Sequence, residues 1–439
     1  MERRNFVKTS AILGAAAALP RYSLAAARGS DRIKVGIIGC GNRGCGAFIN
    51  MMEADQNIKL VAMADLFEDK LERGRKRIIE AAKKYENGAE IAAEGKIKRF
   101  IGVGCEDQLL AEDVDVVIDA CSPVFRTPHF EKIVAAGKHA FLEKPPCVDA
   151  VQARKMLELS KKADEKGLCV VCGTQRRYDV GYQEAIERIR NGEIGEIVSA
   201  QCYWNASIYV GGPKFLNHEE LACDTMEYQI RNWFSFIWAS GDNIVEQHVH
   251  NLDVAMWALG DNRKPVEVRA WGGRSTDLPM PKFGDRFSHF AVDFDMGNGL
   301  RLASYCQQDP KAAPEVGERI IGTNGIMYSN LYGQISISER NGKKRWVFDK
   351  SQRKRDSMVE EHAFLLDAIR KGKHVNKIDQ LVNSTLLAIA GRMSAYSGMK
   401  FKFDWVLKKS QESFEPEKIE LAKKMPMNGV PVPGKYKLV

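Results

Sequence analysis

The sequence predicts an α/β fold that begins with a doubly wound parallel sheet, and three observations carry that prediction. An apolar run at 33–38 passes at once into Gly39-Cys40-Gly41-Asn42-Arg43-Gly44 and then into a helical segment. A second apolar run at 58–64 ends in an acidic residue, Asp65, about twenty residues beyond the last of those glycines. Short apolar strands then alternate with polar segments of helical period as far as residue 146.

Taken in order, residues 1–27 read as a twin-arginine export segment. Arg3-Arg4-Asn5-Phe6-Val7-Lys8 precedes an apolar stretch at 11–19 and the small residues Ala25-Ala26-Ala27. The expected destination is the periplasm, reached by a chain already folded. Removing the segment takes away Arg3, Arg4, Lys8 and Arg21 against Glu2, so the formal charge falls from +8 to +5. Charges of both signs are mixed along the remainder, which leaves no basic stripe for nucleic acid. After the first thirty residues no apolar run reaches the length of a membrane span. A hydrophobic content of 44% suits a packed core. The ten cysteines are scattered rather than spaced as a disulfide framework. Cys169-x-x-Cys172 reads as two buried thiols rather than a zinc or redox pair.

The turn at 39–44 carries the first chemistry. Gly39 permits a tight turn, Gly41 lets backbone approach a pyrophosphate, and Gly44 lets helix and strand pack closely. The N–H groups at the start of the helix, near Asn42 and Arg43, together with its dipole, favour phosphate. A carboxylate at Asp65 accepts from a ribose 2′-hydroxyl and repels a 2′-phosphate, so NAD is expected over NADP. These are the marks of a Rossmann dinucleotide-binding domain, assigned to 28–148.

Within it, 68–93 is charged and helical in period, and a third strand is expected at 98–103. A buried strand at 114–120 ends in Cys121-Ser122-Pro123, a helix follows at 129–137, and a short strand at 139–142 ends in Glu143-Lys144-Pro145-Pro146. Ligands of such sheets lie at strand C-termini, which places Ser122, Pro123, Glu143 and Lys144 on the cofactor side. The following proline holds Lys144 extended. A cation beside bound NAD⁺ has a lowered pKa, which makes Lys144 a candidate for proton transfer.

At this point the chain resembles the Gfo/Idh/MocA oxidoreductase family, which includes glucose–fructose oxidoreductase and inositol dehydrogenase. The likeness spans nearly the whole mature chain. Besides the glycine turn and Glu143-Lys144-Pro145, it includes Gly173-Thr-Gln-Arg-Arg-Tyr178 and Gly192-Glu-Ile-Gly-Glu-Ile197. It continues with Glu246-x-x-x-His250-x-x-Asp253 before Trp257-Ala-Leu-Gly260, and with Gly322-Thr-Asn-Gly325. The resemblance implies that a second α/β domain follows, with a large, mostly antiparallel sheet covering the nicotinamide; it is assigned to 149–405. Residues 406–439 are expected to form an extended tail. Helices are expected at 149–166, 181–191, 358–371 and 378–397. Strands are expected at 169–174, 198–204, 266–272, 287–294, 301–307, 318–322, 325–329 and 335–338. The stretch 208–231, broken by Gly, Pro and aromatic residues, reads as a substrate-side loop.

The second chemical cluster is 246–253. Val249, Leu252, Ala255 and Met256 recur at helical spacing, which predicts one helix over 246–257 with Glu246 and His250 on one face. The resemblance implies that these two, and Asp253, face substrate hydroxyls, with His250 and Lys144 sharing acid–base duty. The common residue at the Glu246 position is Asp, one methylene shorter, and many relatives carry His where this chain has Thr127. His248 points elsewhere, into core or surface. His-x-His-x-x-Asp also invites a metal reading, but no further ligand motif accompanies it and no metal is expected. Arg176, Tyr178, Trp204, Arg231 and Trp233 are candidate binders of a polyol through hydrogen bonds and ring stacking, and each is equally open to a structural role.

The activity expected from these parts is hydride transfer between a sugar, glycoside or polyol hydroxyl and tightly held NAD. Two other classes compete: an NAD-dependent glycosidase acting by transient C3 oxidation and elimination, and a non-catalytic sugar- or cofactor-binding protein. Export implies that NAD stays bound, covered by residues 28–32, by the tail 425–439 or by a neighbouring subunit of a homodimer or homotetramer.

Overall fold

The computed structural model describes residues 32–208, 210, 212–275, 277–330, 332–426 and 429–439; the expected export segment lies outside them. Two sheets organise the chain. The first holds β1 (Ile33–Ile38), β2 (Ile58–Asp65), β3 (Lys98–Ile101), β4 (Val116–Asp119), β5 (His139–Leu142) and β6 (Val170–Cys172) in the order β3-β2-β1-β4-β5-β6. Every pairing in it is parallel. Parallel strands are covered by helices on both faces and therefore read as unbroken apolar runs, as in β4, where all four residues are buried. Strand order reverses between β1 and β4, and the crevice beyond their C-terminal ends is where ligands of such sheets bind.

The second sheet holds β7 (Ile197–Ala206), β8 (Glu267–Gly273), β9 (His289–Asp295), β10 (Arg301–Gln308), β11 (Glu315–Gly322), β12 (Ile326–Ser329), β13 (Ile335–Ser338), β14 (Lys344–Val347) and β15 (Phe401–Lys402). Its order is β14-β13-β12-β11-β7-β10-β9-β8-β15. It is antiparallel apart from β7 with β10. One face packs on helices and the other is open, so its strands alternate: β10 runs exposed, buried, half-buried, buried from Arg301, with Tyr305 outward. The helix Ile378–Ser397 lies buried against β8 and β9 on one side and the helix Ala150–Glu165 on the other, which joins the two halves.

Four elements differ from expectation. The helix predicted over 246–257 is two, Asn243–Glu246 and Val249–Leu259, because the backbone breaks at Gln247. The break turns His248 inward to Ser304 Oγ on β10, 2.8 Å away. The helix begun at Glu68 ends at Ala82. The stretch 208–231 closes in a helix, Met226–Arg231, capped by the Thr225 hydroxyl accepting from Tyr228 N. β14 pairs at the sheet edge from a Lys/Arg-rich sequence that carries little strand signal. All ten thiols are free, eight of them buried. No helix of the described residues is long and apolar enough to cross a membrane.

Candidate active site

The glycine turn is built by close approach. Gly39 has φ +85°, and a Cβ there would lie 2.6 Å from Cys121 N at the end of β4. A Cβ on Gly44 would lie 2.0 Å from Gly39 O, so only glycine lets the helix Asn42–Ala54 start here. Gly41 differs: it is the N-cap, no side chain caps the helix, and a Cβ there would meet nothing within 4 Å. Uncapped N–H groups facing open space suit an anionic pyrophosphate.

From this turn a cleft runs past Asp65, Phe67 and Lys70 to Gly102–Glu106, with Cys121, Ser122 and Phe125 along its other wall. Asp65 is buried in the cleft floor. Its Oδ2 accepts from Cys40 N at 2.7 Å and its Oδ1 from Phe67 N at 2.9 Å, so the carboxylate also ties the glycine turn to the loop after β2. Burial raises its pKa against those two donors. Lys70 is pushed down by burial, against the pull of Asp65. Three side chains able to ligate a metal meet on the cleft wall, a grouping the sequence reading did not foresee. His129 Nδ1 lies 3.5 Å from Asp119 Oδ2 and 3.3 Å from Cys121 Sγ. Burial alone would lower His129, but the Asp119 carboxylate leaves it raised.

Beside the cleft, β5 delivers Glu143 and Lys144. Arg43 bridges the Glu143 carboxylate to Glu361, the latter at 3.2 Å. Lys144 Nζ donates to the backbone carbonyl of Glu246. Burial pushes Lys144 below the ordinary lysine range, against the attraction of Glu246 and Glu143. His250 is held well below the ordinary imidazole range by burial and by the Lys144 and Arg176 cations, so it is neutral. Its ring stacks on Trp204 at 6.0 Å, and Arg176 lies 5.8 Å over the other ring of that pair, Trp204. Burial raises Glu246, opposed by Lys144 and by Arg286, whose Nη1 is 3.6 Å from Oε1. That buried Oε1 makes no hydrogen bond.

Lys144, Glu246, His250, Arg176 and Trp204 are thus brought together, and Gly39, Gly41, Asp65 and Ser122 line the cleft; Pro123 is buried just behind Ser122. Four candidates sit elsewhere, one of them Trp233, which lines the cleft rather than the Lys144 cluster. Asp253 is buried beneath Arg177, which donates Nε to Oδ2 at 2.7 Å and Nη2 to Oδ1 at 2.9 Å, and it also accepts from Ser384 Oγ. It faces no substrate space because its helix turns that face into the core. Tyr178 packs on Phe364 in the core of the first domain. Arg231 lies 3.7 Å over the Phe67 ring and pairs with Asp69 and Glu227, on the cofactor side rather than the substrate side. Two residues were missed. Arg126 Nη2 donates to Cys121 O at 2.7 Å while Nη1 donates to Pro145 O, clamping the β4 and β5 ends together. Glu361 was legible as an acidic residue on the apolar face of 357–370, one turn from Leu365.

Residues 33–172 match the GFO_IDH_MocA model, described as an oxidoreductase family with an NAD-binding Rossmann fold. The myo-inositol 2-dehydrogenase of Thermotoga maritima is 24% identical over 358 residues, spanning 78% of this chain and 89% of that one. Two solved structures share the fold: GenD2 from gentamicin A biosynthesis in complex with NAD (TM-score 0.62, 19% identity, 85% of this chain and 96% of that one) and an aldose–aldose oxidoreductase from Caulobacter crescentus complexed with glycerol (TM-score 0.64, 16% identity, 84% and 99%).

Proposed function

We propose that this chain, whose residues 33–172 carry the NAD-binding module of the Gfo/Idh/MocA oxidoreductases, oxidises a hydroxyl of a sugar, glycoside or polyol with a tightly held NAD. The observation that carries the reading is the Lys144 ammonium held on the Glu246 carbonyl, one helix break from the His250 ring stacked on Trp204, beside the glycine-turn cleft. The polyol class rests on the inositol dehydrogenase likeness and on the Trp204 ring in the same cluster.

The cleft fits a dinucleotide. The uncapped turn at Gly41 and Asn42 would hold its phosphates, and Asp65 the adenosine ribose. A bound dinucleotide would supply a hydride acceptor, and in reverse a donor, for the carbinol carbon. Neutral His250 has a lone pair for the alcohol proton. Lys144 uses one N–H on the Glu246 carbonyl and keeps two, which stabilise the oxyanion as the proton leaves. Such acid–base help contributes roughly 10²–10⁴-fold. Arg176 and Trp204 orient the ring. Asp65 favours NAD over NADP.

A panel of inositols, aldoses and aryl glycosides offered to purified holoprotein tests the reading. A carbonyl product with its linkage intact, formed with reduced dinucleotide, is expected; no reduction with any polyol or sugar rejects it. A second reading, glycoside cleavage through transient oxidation at C3, is favoured by Glu246. Its Oε1, free of any hydrogen bond with the Arg286 guanidinium 3.6 Å away, and its raised pKa offer the further acid–base group that elimination needs. Aglycone release in the same assay selects it. Export by the twin-arginine route, with NAD recycled in place, completes the proposal. Trp271 and Tyr305, exposed on the open face of the second sheet, favour a homodimer or homotetramer.

A further inference from the structure

The cleft is closed by residues far from the dinucleotide-binding module. Past Asp65, where the adenosine ribose belongs, its outer wall is made by Ile230 and Trp233 from the second domain and by Ile419 from the C-terminal tail. These side chains share one apolar cluster with Phe67 and Phe125 from loops of the first sheet and with Leu421 and Met425 from the tail. Apolar side chains at alternate positions 419 and 421, with Lys418 and Glu420 exposed between and beside them, give this stretch one face toward the cleft and one toward solvent.

The tail is fixed on both sides of the cleft. Upstream, Arg392 pairs with Glu412, and Phe414 N donates to Asp149 Oδ2 at 2.8 Å. Across the mouth it lies antiparallel to 224–227. Glu227 N donates to Leu421 O at 3.0 Å, Met226 N to Lys423 O at 2.9 Å, and Met425 N to Asp224 O at 2.7 Å. Downstream, Tyr436 Oη donates to Glu412 Oε1 at 2.7 Å, and Gln411 N to Val439 O at 2.8 Å, so the tail returns to where it left.

We propose that residues 414–425 are a strap across the adenosine end of the dinucleotide site, that Ile419 and Trp233 are dinucleotide-binding residues, and that the strap makes release of the dinucleotide slow. The inference rests on the dinucleotide reading of the cleft. Release through this mouth requires the strap to leave 224–227, which breaks three backbone hydrogen bonds and exposes the apolar face of the tail to water. Sealing is therefore intramolecular and needs no second subunit.

Bound NADH fluorescence, chased with excess ADP-ribose, reads the dissociation rate directly. Ile419→Asp with Leu421→Asp places two carboxylates against the apolar cluster. NADH is expected to leave that variant at least tenfold faster than wild type, with the far-UV circular dichroism of the dinucleotide-free protein unchanged. A second measurement uses wild type alone. Trypsin cleavage after Lys418, Lys423 and Lys424 is expected to slow at least fivefold when NADH is bound. Equal dissociation rates, or cleavage indifferent to NADH, overturn the strap. If wild type takes up neither NADH nor NADPH, the dinucleotide reading itself falls, and the strap with it.

Discussion

The cleft and the Lys144 cluster adjoin at the C-terminal ends of one parallel sheet, yet they are made by opposite means. The glycine-turn end of the cleft is mainly backbone: three glycines, an uncapped helix start and a carboxylate that itself accepts two backbone N–H groups. The cluster is side chains from five elements, with Lys144 and His250 shifted toward their neutral forms by burial. Backbone dipoles hold an anion without being changed by it, whereas acid–base work needs groups whose charge is costly enough to move. The difference separates binding from turnover, and substitutions in the two regions should separate them too.

The largest effect is expected at the cluster. Lys144→Ala and His250→Ala should each lower kcat by about 10³-fold, within the range for acid–base groups, while the purified protein still carries its dinucleotide. A variant with near wild-type kcat on the true substrate would remove that residue from the chemistry. The next effect belongs to a residue that sequence pattern put in the site and the fold took out. Asp253→Ala leaves the buried Arg177 guanidinium with Asp261 as its remaining carboxylate, 2.7 Å away, and should destabilise by about 3 kcal/mol, the lower end for breaking a buried pair, read as a lower thermal midpoint. A KM change without that loss would return Asp253 to the substrate side.

Within the cleft two glycines should part company. Gly44→Ala drives a Cβ to 2.0 Å from Gly39 O and should lower the thermal midpoint, whereas Gly41→Ala meets no protein atom and should leave it unchanged. Gly41→Ala should instead cost dinucleotide affinity, measured by titration with NADH; unaltered affinity would move the phosphates elsewhere. A smaller change is expected from Asp65→Ser, which should narrow the preference for NAD over NADP, because Lys70 and Arg231 stay beside the same wall. The smallest concerns pH. Burial depresses Lys144, so its proton is lost at lower pH than from an ordinary lysine near pKa ~10.4. Because the protonated form is the oxyanion donor, kcat/KM should fall as pH rises through a midpoint below that value, and Glu143→Gln or Glu246→Gln, each removing a carboxylate that holds the proton on, should move the midpoint lower still.

The sequence by itself determined the first sheet and the glycine turn. Both depend on neighbours in the chain: apolar runs of strand length, a G-x-G-x-x-G at a strand end, an acid at the end of the next strand. It determined that Lys144 stands at a strand C-terminus, and, through resemblance, that Glu246 and His250 stand near it. Local periodicity failed at 246–257, where one helix was expected and a break at Gln247 turns His248 to Ser304. Tertiary structure alone decided which charged residues are working groups and which are struts. Asp253 and Arg177 lie 76 positions apart, Arg43 and Glu361 lie 318 apart, and no spacing rule links such pairs. It alone also decided that the tail's Ile419 reaches the wall of the cleft that holds Asp65. The physical reason is range: turns and strands are set by bonds within a few residues, while burial and its pKa consequences belong to whatever the finished fold places alongside.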